Sequence, residues 1–185
     1  MLRGLLLNAL ILGLLACGSA LAPAQAAEPF ALLDHHGRPF SSTALEGRPR
    51  AVFFGFTHCP DVCPTTLLEM SNHLAALGAE AQALAVVFIT VDPERDRPET
   101  LREYLGSFDP RILGLTGTEA QIKAAAARFG AFYDRIPEGD GTYTVVHSAY
   151  VYLIDRRDRA AGTIGFNEPE ADQRAKLRAL LAPPG

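Results

Sequence analysis

Two cysteines with a short spacing are the residues of this chain best suited to chemistry. Cys59 and Cys63 are separated by three residues, one more than in the Cys-x2-Cys turn of common dithiol redox enzymes. An apolar run at residues 51–57 precedes them and a helical leucine pattern at residues 64–77 follows. We therefore expect the thiols at the junction of a strand and a helix, where unpaired backbone N–H groups stabilise a thiolate.

A pair of thiolates so close in sequence has the chemistry of a soft-metal site. Pro60 stiffens the connecting loop, and Asp61 adds a negative charge that favours a cation. Thiolate sulfur selects Cu(I) or Zn²⁺ among the common ions. Two sulfurs leave such an ion short of ligands, so we expect a third ligand from elsewhere in the chain.

Three of the histidines are candidates for that third ligand. His147 interrupts a strand-like run, and because strand ends gather at one edge of an α/β sheet, its imidazole is placed to face the thiols and complete a Cys2His set. The structural alternative for a lone strand histidine is a satisfied packing residue. His58 is adjacent to Cys59 and would lower the pKa of that thiol, and His73 lies at the predicted boundary between core and surface of the helix.

Two other interpretations of the cysteine pair remain open on the residues alone. A disulfide is the structural alternative in an oxidising compartment, although a bridge that closes so short a loop removes little entropy from the unfolded chain. A general dithiol oxidoreductase is the second. A peroxidase is disfavoured, because peroxidatic enzymes of related architecture place Thr three residues before the active Cys, where this chain has Phe56. The cations Arg48, Arg50 and Arg95 are interpreted as solvated surface charges rather than as partners of a thiolate.

Hydrophobic periodicity predicts the elements that must position these residues. Residues 51–57 and 84–91 are apolar on both faces, as in buried central strands, and with the helix between them they form a parallel βαβ unit. In the loop that follows, Asp96 is expected to cap a helix that ends at about residue 107. The other predictions are a hairpin at 30–40, a strand at 112–115, a helix at 118–129, a turn-rich insertion or hairpin at 131–144, strands at 145–155 and 160–166, and a helix at 171–181.

The first 26 residues have the layout of an export signal. Arg3 precedes an apolar run at residues 5–16, and the small residues at 24–26 offer a cleavage site. We therefore expect residues 1–26 to be a signal peptide. Two alternatives remain open: an uncut membrane anchor over residues 4–22, and a lipoprotein that is lipidated at Cys17.

Composition assigns the rest of the chain, residues 27–185, to one domain. The full chain of 185 residues is 48% hydrophobic and 21% charged, which suits a single globular core with a short appendage. Its net charge of −4 and the absence of a basic cluster are not those of a nucleic-acid-binding protein.

Three segments taken together resemble the Sco/SenC family of copper-binding proteins. They are GFTHCPDVCPTTL, VDPERDRPETL and VVHSAYVYLID, and the resemblance covers most of residues 28–182. It implies a thioredoxin-like α/β sandwich with a central mixed sheet flanked by helices, an N-terminal hairpin and a hairpin insertion. It also implies that Cys59, Cys63 and His147 match the family's three copper ligands, for Cu(I), Cu(II) or both.

The same resemblance implies a biological role. The family delivers copper to the dinuclear copper site of cytochrome c oxidase, or keeps the cysteines of that site reduced. The expected partners are therefore the copper-bearing subunit of that oxidase or another cuproprotein, a copper donor chaperone and a thiol reductant. Family members face the periplasm or the mitochondrial intermembrane space, often on a membrane tether, and the bacterial-style signal here favours the periplasm. A thiol-disulfide reductase and a copper or redox sensor remain the alternatives, so enzymatic activity stays open.

Two departures from related sequences bear on these expectations. Many family members have Asp immediately before the histidine, where this chain has Val146. Thioredoxin-type oxidoreductases place a cis-proline before the strand that faces the dithiol, and this chain has no proline between Pro137 and Pro169. The second departure favours metal handling over general reductase activity.

Overall fold

Nine strands and four α-helices make up the part of the chain that the computed structural model describes, residues 29–139 and 141–183. The predicted signal peptide or anchor and Cys17 lie outside these residues. None of the described helices is both long enough and apolar enough to cross a membrane. In chain order the elements are β1 (Ala31–Asp34), β2 (Pro39–Ser41), β3 (Arg50–Gly55), α1 (Val62–Leu77), β4 (Ala85–Thr90), α2 (Pro98–Leu105), β5 (Ile112–Thr116), α3 (Glu119–Phe129), β6 (Tyr133–Pro137), β7 (Tyr143–His147), β8 (Tyr150–Ile154), β9 (Ala160–Gly165) and α4 (Glu170–Leu181).

Seven of the strands form one mixed sheet in the order β2-β1-β5-β4-β3-β8-β9. Strands β3, β4 and β5 are parallel, which confirms the predicted βαβ unit, and β8 runs antiparallel to β3. Every residue of β3 and β4 is buried, as their continuous apolar sequence predicts. The carboxyl ends of β3 and β4 therefore lie side by side, and the loop with the cysteines leaves the sheet at this edge.

The predicted N-terminal hairpin is present, with β1 and β2 antiparallel around a turn. One carboxylate oxygen of Asp34 accepts hydrogen bonds from the backbone N–H groups of His36 and Arg38, both at 2.9 Å, which closes the turn. Helix α3 begins with the capping box of Thr118 and Gln121 and ends at Gly130, whose φ is +64°.

The prediction of one continuous strand over residues 145–155 is wrong. Strands β6 and β7 form a separate two-stranded hairpin, and β8 belongs to the main sheet. The break falls at residues 148–149, where the Ser148 N–H donates to the Phe132 carbonyl at 2.9 Å and the Phe132 N–H donates to Ser148 Oγ at 2.9 Å. These bonds close the base of the hairpin, so His147 ends β7 and does not lie within a long sheet strand.

Two polar residues that the sequence places at or near the surface are buried. Arg50 is 4% exposed, because the pairing of β3 with β8 brings its guanidinium into an ion pair with Asp158 in the following turn. His73 is 1% exposed, and its Nε2 lies 2.9 Å from Gln173 Oε1 on α4. Both are structural links between segments distant in sequence rather than solvated charges or boundary residues.

Candidate metal centre

Three soft or borderline donor atoms meet where β3 passes into α1. One sulfur each from Cys59 and Cys63 and a ring nitrogen of His147 lie within 4.8 Å of one another, and Cys63 Sγ is 3.4 Å from His147 Nε2. Around one ion bound at about 2.3 Å to sulfur and about 2.0 Å to nitrogen, donor atoms lie roughly 3.5–4 Å apart. The observed separations therefore fit a single soft ion after small side-chain movements. In the described part of the chain this is the one group of three Cys, His, Asp or Glu side chains with such a geometry.

The two thiols differ in exposure because of their places in the loop. Cys59 lies in the turn after β3, where its N–H donates to the Phe56 carbonyl at 3.2 Å, and it is partly exposed. Cys63 is the second residue of α1 and is fully buried. The expected position of the pair at a strand-to-helix junction is confirmed, and an ion held there is reached by solvent from the side of Cys59.

Gly55, the last residue of β3, makes room for the buried sulfur. A Cβ atom at this position would lie 2.7 Å from Cys63 Sγ and 2.8 Å from a ring carbon of Phe88. Both distances are shorter than real Cβ contacts, so a side chain here displaces either the sulfur or the core. Sequence reasoning did not single out Gly55, although a glycine inside an apolar strand is a known signal of close approach.

His147 is held by its ring contacts and by one hydrogen bond. Its imidazole packs edge-on against Phe53 and Phe56, with ring centroids 5.9 and 5.8 Å apart. Its Nδ1 lies 3.1 Å from the Ser148 carbonyl oxygen, which can only accept, so Nδ1 carries the proton. Nε2 then presents its lone pair to Cys63, as a metal ligand with an outer hydrogen-bond partner does.

The other histidines do not join the site. His58 follows the strand, and its Nδ1 lies 3.1 Å from Thr57 Oγ1. His73 faces Gln173, away from the thiols. Of the three predicted candidates for a third ligand, the structure therefore brings only His147 to the cysteines.

Of the two thiol protons, the first is easily lost and the second is not. A hydrogen bond from Cys63 lowers the pKa of the Cys59 thiol, and hydrogen bonds from backbone N–H groups of the loop add to this effect, which outweighs the opposite effect of burial. The same hydrogen bond to Cys59 raises the pKa of the Cys63 thiol, and burial raises it further. The arrangement thus favours a thiolate at Cys59 with the remaining proton on Cys63, and a bound cation replaces that proton.

Asp96 holds the cysteine loop to the sheet. Its carboxylate is fully buried and accepts hydrogen bonds from Thr57 N–H at 2.9 Å, Thr57 Oγ1 at 2.6 Å and Thr90 Oγ1 at 2.7 Å. The prediction that Asp96 caps α2 is wrong, because Arg97 occupies the N-cap position and the carboxylate turns toward the ends of β3 and β4. This role had no local sequence signal, since Thr57 is 39 residues away.

The pH dependence of stability tests this assignment. Burial raises the pKa of Asp96 above its ordinary 3.8, so the folded state keeps a proton that the unfolded state has lost. The free energy of unfolding of the parent relative to Asp96→Asn is therefore expected to fall as pH rises above about 4, and to level off once the buried carboxyl has ionised. Urea unfolding of both proteins from pH 3 to pH 7 measures this difference.

Asp109→Asn is the matched control for this experiment. A hydrogen bond from Arg111 lowers the pKa of Asp109, so the parent is expected to gain stability relative to this variant as pH rises through the acidic range. For each variant, the stability difference from the parent is followed as a function of pH. An equal pH slope for both variants, or no change with pH for Asp96→Asn, would contradict a raised pKa of the buried Asp96 carboxyl.

Val146 lies on the face of β7 opposite His147, because adjacent strand residues point to opposite faces. It is 44% exposed and pairs across the hairpin with Asp134. Val146→Asp is expected to lower the free energy of unfolding by about 0.5 kcal/mol, because two carboxylates then stand directly opposite each other. Metal affinity should stay within about twofold of the parent, since the new carboxylate points away from the thiols.

Val146→Asn provides the uncharged control, and chemical unfolding together with a metal titration reads out both effects. A large gain in metal affinity for Val146→Asp alone would contradict this placement of the side chain.

The class of protein that this architecture defines is a mixed α/β domain with a Cys2His cluster at one sheet edge, close to the thioredoxin-like fold expected from the sequence. The SCO1/SenC family model matches residues 19–182. The chain therefore belongs to the SCO1/SenC family, which confirms the resemblance.

The chain is also similar in sequence to individual proteins of this family. The chain is 44% identical over 133 residues to the SCO2-like protein of Rickettsia prowazekii (strain Madrid E), covering 71% of this chain and 65% of that protein. It is 36% identical over 153 residues to "Protein SCO2, mitochondrial" of Saccharomyces cerevisiae, covering 81% of this chain and 51% of the relative. It thus spans less than two thirds of the length of these relatives.

Among solved structures, that of Bradyrhizobium japonicum ScoI with copper bound superposes with a TM-score of 0.77 at 40% identity, covering 83% of this chain and 98% of that one. The thioredoxin-like fold is confirmed by this similarity. The family includes mitochondrial proteins and, in Bacillus anthracis, a lipoprotein.

Proposed function

We propose that this protein is a copper metallochaperone that binds one copper ion through Cys59, Cys63 and His147. The observation that carries the proposal is the convergence of two sulfurs and one imidazole nitrogen within 4.8 Å. Two thiolates favour Cu(I), and the imidazole makes the same site tolerant of Cu(II). The solved relative with copper bound supports this choice of metal over zinc.

The difference in exposure between the two cysteines determines the side from which an acceptor reaches the copper ion. Cys63 is fully buried against Gly55, whereas Cys59 is partly exposed. A thiolate or imidazole of an acceptor therefore reaches the ion from the side of Cys59, which exchanges first. Cys63 and His147 hold the ion until the acceptor supplies further ligands.

The oxidation state of the cysteines controls loading. A disulfide between Cys59 and Cys63 removes both sulfur ligands, so only the reduced protein binds copper. A thiol reductant is therefore a required partner in an oxidising compartment, together with a copper donor.

The proposed acceptor is the copper-bearing subunit of cytochrome c oxidase, where the ion enters the dinuclear copper site. Family membership supports this acceptor. The chemistry of the site is consistent with it, because stepwise exchange between two thiolates and an imidazole on each side needs no change of ligand type.

Transfer of copper and reduction of a disulfide are distinguished with one acceptor peptide that carries the cysteines and histidines of a dinuclear copper site. The copper-loaded protein is expected to transfer its ion to the reduced peptide. The reduced, copper-free protein is expected to reduce the disulfide form much more slowly than it transfers copper. Rapid reduction without copper transfer would replace the proposal by the thiol-disulfide reductase alternative.

We further propose that residues 1–26 export the domain, 27–185, to the periplasm. The charged start, apolar run and small-residue cleavage site support a cleaved signal peptide. The intact mass of the exported protein separates this proposal from an uncut anchor over residues 4–22 and from lipidation at Cys17.

A further inference from the structure

The third ligand, His147, is carried by an element that is not part of the main sheet. Strands β6 and β7 pair only with each other, and an isolated two-stranded hairpin is marginally stable in water. The position of the imidazole over the thiols therefore depends on the side chains that fasten the hairpin to the rest of the domain.

A buried carboxylate after β4 is the centre of that attachment. The side chain of Asp92 is fully buried, and its Oδ1 accepts a hydrogen bond from the Tyr143 hydroxyl at 2.7 Å. Its Oδ2 accepts from Arg95 Nε, and Arg135 Nη2 lies 3.8 Å from Oδ1. Tyr143 and Arg135 belong to β7 and β6, so this carboxylate faces both strands of the hairpin, and Arg135 is bound more closely by Glu94, whose Oε1 lies 2.9 Å from Nη1.

The ring of Tyr143 is held by the same cations. The guanidinium carbon of Arg95 lies 4.0 Å from the ring centroid and that of Arg135 lies 4.9 Å from it. Arg95 Nη1 also donates to the Tyr143 carbonyl at 3.1 Å. These contacts fix both the side chain and the backbone at the start of β7. They also correct the interpretation of Arg95 as a solvated surface charge.

The attachment and the ligand lie on one side of the same strand. Tyr143 and His147 are four residues apart, so their side chains point to the same face of β7. Arg95 also lies 5.9 Å from the ring of Phe56, against which His147 packs. A shift of the hairpin at Asp92 would therefore move the strand that carries the imidazole.

We propose that Asp92, Arg95, Arg135 and Tyr143, which we name the Asp92 clamp, are positioning residues that set His147 over the two thiols. This inference rests on the proposed function, because it assigns the clamp to the geometry of the copper site. A buried carboxylate that binds several partners rigidifies its surroundings, and loss of its charge leaves Arg95 without its ion pair.

A double-mutant cycle tests the clamp. Asp92→Asn is expected to weaken Cu(II) binding about 10–100-fold, the range typical of outer-shell partners of a metal ligand, and to reduce the nitrogen hyperfine coupling in the EPR spectrum. In the background of His147→Ala, where the nitrogen ligand is absent, Asp92→Asn should cause no further loss of affinity. Tyr143→Phe removes only the hydroxyl and should give a smaller loss with the same dependence on His147.

Thr144→Val is the control, since it removes a hydroxyl from the same hairpin on the face of β7 opposite Tyr143 and His147. Unfolding measurements on each copper-free variant show whether it is folded. If Asp92→Asn does not fold, Tyr143→Phe still tests the clamp. Losses that add to that of His147→Ala, or an unchanged nitrogen coupling in the clamp variants, would overturn this inference while the proposed function stands. A parent protein that binds no copper would instead overturn the proposed function.

Discussion

Cys63→Ser is expected to abolish tight copper binding by the reduced protein. Serine has nearly the same shape, but its hydroxyl stays protonated at neutral pH and is a hard donor that Cu(I) does not favour. Because the change removes a direct ligand, the loss of affinity should exceed the roughly 10–100-fold typical of outer-shell changes. Competition with a Cu(I) chelator measures it.

The controls for this prediction separate ligation from folding. Copper-free Cys63→Ser should unfold close to the parent, because the buried sulfur is replaced by a group of similar size. His147→Ala should also weaken binding, whereas His36→Ala, which changes a histidine in the β1–β2 turn, should leave it unchanged. Affinity of Cys63→Ser equal to that of the parent would show that the ion binds elsewhere.

Gly55→Ala is expected to damage both the fold and the copper site. The added methyl would lie 2.7 Å from Cys63 Sγ and 2.8 Å from the ring of Phe88, and Phe88 is fully buried and cannot withdraw. Overpacking of this kind costs about 1–3 kcal/mol, and the sulfur is the atom displaced toward the open side. We therefore expect lower stability in urea together with at least about tenfold weaker copper binding, as for other disturbed ligand geometries.

Gly165→Ala is the matched glycine control. A Cβ at Gly165, in β9, would meet Tyr150 and Glu168 at 3.9 and 4.0 Å, which are ordinary contacts. This variant should keep the copper affinity of the parent and lose little stability. Parent-like copper binding and stability in Gly55→Ala would contradict the close contact between the glycine and the sulfur.

Local patterns in the sequence were sufficient to predict the centre of the fold. The apolar runs that became β3 and β4 and the leucine periodicity of α1 identified the strand-to-helix junction with both cysteines. Helix α3 followed from its N-cap Thr118 and from Gly130 as its stop signal. These features depend on neighbours within a few residues, which the sequence displays directly.

Long-range contacts determined what the sequence did not reveal. The apolar run at residues 145–155 looks continuous, and only the bonds between Ser148 and Phe132 show that it divides between two sheets. Asp96 lies in a sequence context typical of a helix N-cap, yet its carboxylate accepts hydrogen bonds from the hydroxyls of Thr57 and Thr90 instead. In both places a partner distant in sequence overrode the local preference.

The proposed copper site was only partly predictable from the sequence, for the same reason. The cysteine pair follows from spacing alone, whereas the assignment of His147 as a ligand rather than a packing residue needed the family resemblance, and the structure then placed only His147 at the thiols. Gly55 and Asp92 were missed, because their importance lies in what they touch: a sulfur eight residues away and a hydroxyl 51 residues away.

X-ray absorption at the copper edge of the reduced, copper-loaded protein tests the central claim most directly. We expect two sulfur ligands at about 2.3 Å and one nitrogen at about 2.0 Å for each copper, with the nitrogen lost in His147→Ala. A spectrum with fewer than two sulfurs per copper, or a nitrogen contribution that persists unchanged in His147→Ala, would contradict the assignment of Cys59, Cys63 and His147 as the copper ligands.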